Sequence, residues 1–268
     1  SDKKLEIDGL TCGDIRKSAL LITHYHSDHI GKITELPPEL PIYMGKMAKE
    51  IASELANHLS TVSVEHRKMA ERLNNVNTFV PRKHFTFGEF DITPIVVDHS
   101  AFDAYAFCIE AKELKVFHTG DFRKHGFRSG KLSTVIERYV ERADYVVCEA
   151  TNVNRPDTAI MSEHELQKEF EKAFTENKYN VAYVSSTNID RLFGLYHADI
   201  RANRPFYVNA YQKRIMDIVA GRDKIWSKSS LYNYIEGKKP QKLIQRGTEF
   251  IANDNFSSRS EKSGFTSI

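Results

Sequence analysis

Residues Thr23–His29 read Thr-His-Tyr-His-Ser-Asp-His and directly follow a short apolar run. Imidazole nitrogens and carboxylate oxygens are the ligands that divalent zinc, manganese or iron prefer. In an extended segment, His24 and His26 point to the same side because side chains alternate with a period of two. Asp28 and His29 follow and can face a second, adjacent position. The spacing therefore predicts a two-metal site, with a polar loop of surface histidines as the alternative.

Two further ligand candidates, His99 and Asp121, each follow a run that is typical of a β-strand. His99 comes after Ile95–Val97 and Asp98, and Asp121 comes after a run that ends at Gly120. Strand ends at one edge of a sheet lie close together, so three separate segments can build one metal centre. The alternatives are a core histidine at position 99 and a turn carboxylate at position 121.

In this order, the ligand candidates resemble the ligand series of the metallo-β-lactamase superfamily. They are His24, His26, Asp28, His29, His99 and Asp121. Later segments narrow the resemblance to the β-CASP group of nucleic-acid-processing enzymes, and within it to ribonuclease J-like proteins. Those segments are Asp98–Ala104, Thr119–Arg123, Cys148–Asn152 and Ser186–Arg191. The resemblance covers about residues 15–215.

The resemblance implies two divalent metal ions, each held by part of the ligand series. The first ion is held by three imidazoles, those of His24, His26 and His99. The second ion is held by Asp28 and His29, and Asp121 bridges the two ions. Zinc is the expected metal, with manganese as the alternative.

Asp28 and Glu149 are the catalytic candidates that the resemblance implies. Asp28 would be both a ligand and a proton acceptor that orients the nucleophile. Glu149 matches the acidic residue that closes the catalytic half of β-CASP proteins, where a carboxylate can orient a metal-ligating histidine. The alternative for Glu149 is a surface acid at the end of a strand.

The composition is that of an ordinary globular protein. The 268 residues are 41% hydrophobic, which is compatible with two domains. Mean hydropathy is −0.46, and the chain has no apolar run of about 18 residues, so no membrane span is expected. No signal segment opens the chain, which predicts a cytoplasmic location. The three cysteines form neither a CxxC motif nor an even set, which indicates reduced thiols.

Charge is distributed unevenly along the chain. Residues 201–268 hold 13 Lys/Arg against 6 Asp/Glu, whereas residues 1–200 hold 25 against 30. A basic second half is consistent with a phosphate-rich substrate. It is equally consistent with a solvated surface.

The fold expected from these patterns is α/β: a partial metallo-β-lactamase αββα sandwich with a second, β-CASP-like α/β domain. The first, catalytic domain is expected over residues 1–178 and the second over residues 179–268. Residues 44–75 show a helical stripe with a four-residue repeat. Ser162 and Glu165 form a capping-box pattern that opens a helix over Glu163–Glu176. Asn180–Ser185, the following helical stripe and Pro205–Val208 predict a βαβ unit with a parallel sheet.

Thr187, Asn188 and Arg191 lie at the strand-to-helix turn of this βαβ unit. A hydroxyl, an amide and the helix N-terminus can donate hydrogen bonds to a phosphate there, with Arg191 one turn further on. These three residues are therefore candidates for substrate binding. The alternative is an ordinary helix cap followed by a solvated arginine.

The family pattern extends beyond both ends of this sequence. Family members carry an acidic motif on strands before the first histidine cluster, whereas 23 residues precede His24. They also place a further histidine ligand and a catalytic histidine after the inserted domain, and none follows His197. Both predicted domains are therefore expected to be incomplete at their outer ends.

The resulting hypothesis is a metal-dependent hydrolase, a ribonuclease that cleaves RNA phosphodiester bonds with a metal-bridging hydroxide. Single-stranded RNA is the expected partner, with DNA as an alternative. The main alternative function is hydrolysis of a small thioester, lactone or phosphoester on the same fold. A third possibility is a binding protein without catalysis. A groove lined by basic residues favours the nuclease, and a closed pocket favours the small-molecule enzyme.

Overall fold

The computed structural model of the chain describes residues 6–151, 153–154, 160–223, 232–234, 249–252 and 266–267. The chain divides into two compact units. The first unit contains residues 1–124 and 128–157, and the second contains residues 125–127 and 158–268. Among the described residues, no helix is both long enough and apolar enough to cross a membrane.

The first unit contains two sheets. The smaller one is parallel, with strand order β1 (Leu20–Leu21), β2 (Ile42–Gly45) and β3 (Asn77–Phe79). The larger one follows chain order through β4 (Phe85–Phe87), β5 (Phe90–Val96), β6 (Tyr105–Ala111), β7 (Leu114–His118) and β8 (Tyr145–Val147). Its neighbouring strands are antiparallel except for the parallel pair β7 and β8. Buried apolar side chains from alternate positions of β5 and β6 form the core of this sheet.

The described residues of the first unit form four α-helices. They are α1 (Ser27–Ile30), α2 (Lys46–Leu59), α3 (Val64–Asn74) and α4 (Leu132–Val135), the last continued by a π-helical turn over Ile136–Val140. The helical character predicted for residues 44–75 is confirmed, and the segment contains the two helices α2 and α3. The chain breaks between them because Ser63 has an extended backbone and caps α3, its side chain accepting from the His66 backbone N–H at 3.3 Å.

Helix α2 begins at a tertiary contact that no local pattern indicates. Gly45 precedes the helix and offers no side chain to cap it. Instead, the Asp103 carboxylate accepts hydrogen bonds from the backbone N–H groups of Met47 and Ala48, both at 2.9 Å. A Cβ atom on Gly45 would lie 2.5 Å from Asp103 Oδ2, so glycine permits this approach. A carboxylate at a helix N-terminus is favourable because it meets unpaired donors and the positive end of the helix dipole.

The second unit contains a parallel sheet with order β11-β10-β12-β9-β13. Its elements are α5 (Glu163–Glu176), β9 (Asn180–Tyr183), α6 (Ile189–Arg201), β10 (Phe206–Val208), α7 (Ala210–Asp223), β11 (Tyr232–Tyr234), β12 (Glu249–Ala252) and β13 (Thr266–Ser267). The predicted capping box at Ser162 and Glu165 and the parallel sheet are confirmed. β9 and β10 are not neighbours, however, because β12 lies between them.

The compact units divide at residues 157–158, and the predicted domains, residues 1–178 and 179–268, remain a prediction. Helix α5 lies in the second unit because it packs on α6. A Cβ atom on Gly194 of α6 would lie 3.9 Å from the Gln167 side chain and 4.0 Å from the Phe170 side chain, both on α5. Glu163 of α5 also pairs with Arg191 of α6. The β-CASP-like identity of the second unit remains a prediction.

Candidate functional site

Three segments of the first unit bring the ligand candidates together. Residues 24–29 follow β1, His99 follows β5, and Asp121 follows β7. The first segment is held in place from two sides. The Tyr105 backbone N–H at the start of β6 donates to the Thr23 carbonyl at 3.0 Å. The buried Tyr25 hydroxyl accepts from the Phe102 backbone N–H at 2.8 Å.

His26 lies between two other imidazoles. Its Nδ1 is 3.1 Å from His24 Nε2 and 3.2 Å from His99 Nε2. One oxygen of Asp121, Oδ2, lies 3.3 Å from His29 Nε2 and 4.0 Å from both His24 Nε2 and His99 Nε2. The ligand atoms fall into two groups, each within 4.8 Å: His24, His26 and His99, and His24, His29 and Asp121. The donor chemistry and the convergence of these atoms fit the binding of a divalent metal.

Burial keeps these imidazoles neutral. Burial, followed by the neighbouring His29, His99 and His26, lowers the pKa of His24 from 6.5 to about 2. Burial, followed by His26, lowers the pKa of His99 to about 4. Burial also lowers the pKa of His26. A neutral imidazole has the free lone pair that a metal ion requires, so the site is prepared for metal binding.

A family model described as "Beta-lactamase superfamily domain" matches residues 14–176, which is more than half of the chain. The chain belongs to this superfamily. The resemblance to the metallo-β-lactamase superfamily is thereby confirmed.

The similar curated proteins carry the name Ribonuclease J. The Mycoplasma pneumoniae protein is 28% identical over 206 residues, 72% of this chain and 34% of that protein. A Helicobacter pylori protein is 28% identical over 199 residues, 71% of this chain and 27% of that protein. The Sinorhizobium meliloti protein is 24% identical over 249 residues, 89% of this chain and 38% of that protein. This superfamily member thus spans about a third of the length of these relatives.

A solved structure shares the fold. The crystal structure of a protein of unknown function from Enterococcus faecalis V583 aligns with a TM-score of 0.72 at 19% identity. The alignment covers 93% of this chain and 61% of that chain. The mixed α/β fold expected for the superfamily is confirmed.

Asp28 lies at the edge of the superfamily's ligand cluster. Its side chain is 76% exposed, and its Oδ2 is 3.6 Å from His29 Nε2. It is in neither of the two close ligand groups. The helix that carries it, α1, starts at Ser27, and His26 rather than a serine occupies the cap position. The structure therefore brings Asp28 to its neighbour His29 but not to the centre of the cluster.

Glu149 makes a different contact from the predicted one. Its Oε1 accepts from the Phe122 backbone N–H at 2.8 Å, and its own N–H donates to Thr119 Oγ1 at 3.3 Å. These bonds hold the turn that carries Asp121. Among the contacts of the described residues, this carboxylate orients a ligand loop rather than an imidazole.

Asp98 joins the two loops that carry His99 and Asp121. Its carboxylate accepts from Arg123 Nε at 3.0 Å and from the Arg128 backbone N–H at 2.9 Å. The Arg123 N–H donates to the Asp98 carbonyl at 2.8 Å. The Arg128 guanidinium donates to the His99 carbonyl at 3.2 Å. In the sequence, Asp98 is only one member of a family motif, and its spacing from Arg123 and Arg128 does not predict this link.

Thr187, Asn188 and Arg191 lie at the start of α6 in the second unit. Asn188 caps the helix by accepting from the Arg191 N–H at 3.2 Å, in agreement with the alternative of an ordinary helix cap. The Thr187 hydroxyl lies 3.0 Å from that of Ser185. The Arg191 side chain is 32% exposed, and its guanidinium pairs at 3.2 Å with Glu163, whose side chain is 3% exposed. Their role in phosphate binding remains a prediction.

Replacing Gly120 with alanine is expected to destabilise the protein more than the same change at Gly88. Both glycines have left-handed backbones, with φ of +55° and +58°, which cost an alanine roughly 1–2 kcal/mol. A Cβ on Gly120 would also lie 2.6 Å from the Tyr105 carbonyl oxygen, whereas nothing lies within 4 Å at Gly88. Urea unfolding of the two variants measures the difference. Equal losses of stability would show that the Asp121 turn tolerates displacement.

The free energy of unfolding of the metal-free protein is expected to fall as the pH drops below 6.5. The histidines of the unfolded chain become protonated near pH 6.5. In the folded protein the pKa is lowered to about 2 for His24 and to about 4 for His99, so both stay neutral at pH 5. Near pH 5 the unfolded state therefore binds about two more protons, a slope of roughly 2–3 kcal/mol per pH unit. Urea unfolding in chelator at several pH values measures this slope. The exposed His84 provides the control: His84→Asn should keep the slope, and His24→Asn should reduce it.

Proposed function

We propose that this chain carries the metal centre of a ribonuclease J-like hydrolase that cleaves RNA phosphodiester bonds. The observation that carries the proposal is the position of Asp121 Oδ2. This single oxygen lies within 4.0 Å of imidazoles from both predicted ligand sets, those of His29, His24 and His99. From this position the Asp121 carboxylate would be able to contribute to holding both ions. The name Ribonuclease J of the similar proteins supports RNA as the substrate.

Two divalent metal ions are part of the proposal, zinc with manganese as the alternative. His24, His26 and His99 would hold one ion, and Asp28 and His29 the other, with Asp121 between them. When bound, such ions neutralise charge on the phosphate and lower the pKa of water toward neutrality.

The chain's own residues supply positions and a proton acceptor. Asp28 is exposed and lies beside His29, so its carboxylate can accept a proton from the attacking water. Glu149 acts as a positioning residue, because its carboxylate fixes the Phe122 N–H directly after Asp121. Asp98 positions the His99 loop against the Asp121 loop through Arg123 and Arg128.

The second unit completes the proposal as a β-CASP-like domain that binds single-stranded RNA, with DNA as the alternative. Thr187, Asn188 and Arg191 are proposed to contact a phosphate at the start of α6. Binding there requires Arg191 to share its guanidinium between Glu163 and the substrate. A cytoplasmic location remains a prediction.

Cleavage of end-labelled single-stranded RNA by the chain tests this function. Added zinc or manganese should support cleavage, and a chelator should abolish it. Asp28→Asn should lower the rate by about 10²–10⁴-fold, the usual contribution of a general base. Asp91, an exposed aspartate on β5, gives the matched control, and Asp91→Asn should leave the rate unchanged. Cleavage that survives the chelator or the Asp28 change would contradict the proposal.

A further inference from the structure

A cleft on the second unit is lined by none of the candidate site residues among those described. It has a volume of about 370 Å³ and is formed by α5, α6 and residue 127. Its lining includes four rings and two cations: Phe127, His164, Phe193, His197, Lys168 and Arg201. None of the described residues that line it is acidic. The volume falls in the range of small-molecule binding sites.

The lining residues form two stripes along the helices. Phe193, His197 and Arg201 follow one another at four-residue spacing on α6, and His164 and Lys168 do the same on α5. Residues four apart lie on the same face of a helix. The sequence thus places rings at one end of each stripe and a cation at the other.

Two of the ring pairs in the cleft meet edge to face, and the third is tilted. Phe127 contacts His164 at 4.7 Å and 89°, and it contacts Phe193 at 5.0 Å and 72°. Phe193 contacts His197 at 4.2 Å and 57°. In such pairs the edge of one ring meets the face of another, so the rings do not cover each other as they would in a parallel stack. A flat aromatic group can therefore contact ring faces in this cleft.

The cations are available to an anion. Lys168 and Arg201 are exposed, and Arg201 pairs with the partly exposed Glu171 at 3.5 Å. Exposed pairs of this kind are weak, so Arg201 can exchange Glu171 for a phosphate. Burial, followed by the charge of Arg201, lowers the pKa of His197 and keeps this ring neutral and suited to stacking.

We propose that this cleft binds one nucleotide of a single-stranded nucleic acid, with the base against the rings and the phosphate on Lys168 and Arg201. Ring faces for a base next to cations for the backbone are the combination by which proteins hold single strands. A purely apolar ligand would make no ionic contact with Lys168 and Arg201, and an acidic peptide would offer no flat group to the rings. The inference rests on the proposed function, which supplies the nucleic-acid substrate.

Binding of fluorescein-labelled oligoadenylate RNA, twelve nucleotides long, tests the cleft by fluorescence anisotropy in chelator. An abasic oligomer of equal length keeps the phosphates and removes the bases. Phe193→Leu keeps an apolar side chain but removes the ring, so Kd for the RNA should rise about 5- to 150-fold and Kd for the abasic oligomer should not change. Lys168→Ala should reduce the slope of log K against log salt by about 0.7.

Two matched variants control this experiment. Phe174→Leu makes the same change at a buried α5 position that does not line the cleft, and Lys112→Ala removes an exposed charge from the first unit. Neither should alter RNA binding. The proposed role of the cleft would be overturned if Phe193→Leu bound RNA with the wild-type Kd. It would also be overturned if the unaltered chain bound the abasic oligomer as tightly as the RNA, or did not bind the RNA.

The chelator separates this inference from the proposed function. If base-dependent binding is lost in Phe193→Leu, nucleotide binding in the cleft is supported, whether or not the chain cleaves RNA. Failure to cleave RNA would contradict only the proposed function. If the chain shows metal-dependent cleavage but the cleft variants bind RNA as the unaltered chain does, only the proposed nucleotide binding in the cleft is contradicted.

Discussion

Replacing His24 with alanine is expected to remove the metal ion that His24, His26 and His99 are proposed to hold and to lower RNA hydrolysis by more than 100-fold. His24 Nδ1 lies 3.0 Å from the Thr23 hydroxyl, so its Nε2 is the atom left to bind this ion. Its side chain is 0% exposed, so no water reaches the position to replace it freely. Losing an outer partner of a ligand already costs about 10–100-fold, and losing a direct ligand should cost more. Elemental analysis and the RNA cleavage assay measure the two effects.

Two other histidines sharpen this test. His26 belongs to the same proposed ligand set, so His26→Ala should lower the metal content as His24→Ala does. His84 is exposed and lies outside both groups, so His84→Ala should keep all of it. Full metal content in a folded His24→Ala protein would contradict its role as a ligand.

Much of the metal centre could be predicted from the sequence because its ligands are concentrated in short stretches. Three imidazoles and a carboxylate within six positions are sufficient to indicate a metal site. The runs before His99 and Asp121 indicate strands, and the structure brings both residues to the same cluster. The capping box predicts the start of α5 because both of its residues lie within one helical turn.

The supporting contacts could not be predicted because they join residues far apart in the chain. Asp98 meets Arg123 across 25 positions, and Asp103 caps α2 across 56 positions. No helical or strand period encodes such distances. The sequence predicts that the Glu149 carboxylate orients a histidine, but it bonds to a backbone N–H 27 positions away. Packing in three dimensions decides these contacts.

The second unit shows the same limit. The sequence pattern at the start of α6 does not predict that the Arg191 guanidinium pairs with Glu163, 28 positions earlier. The βαβ pattern correctly predicts parallel strands. It does not predict that β12, from far along the chain, lies between β9 and β10. Local spacing determines strand direction through the crossover helix, whereas strand order depends on later parts of the chain.

Replacing Asp98 with alanine is expected to destabilise the first unit by about 3–5 kcal/mol, the usual cost of removing one partner of a buried ion pair. The side chains of Asp98 and Arg123 are 3% and 11% exposed, so water cannot replace the lost carboxylate. The change also frees the Arg128 N–H and loosens the loops of His99 and Asp121. Urea unfolding in chelator measures the stability, and metal titration measures the affinity of the centre, which should fall.

A double variant distinguishes the ion pair from general damage to the core. Asp98→Leu combined with Arg123→Met removes both charges, and well-packed apolar replacements of a buried pair are often neutral. The double variant should therefore regain much of the stability lost in Asp98→Ala, while its metal affinity stays low because the link between the two loops is gone. Glu89 pairs with Lys112 on the surface, so Glu89→Gln should change neither property. Wild-type metal affinity in the double variant would show that the ligand loops hold their positions without Asp98.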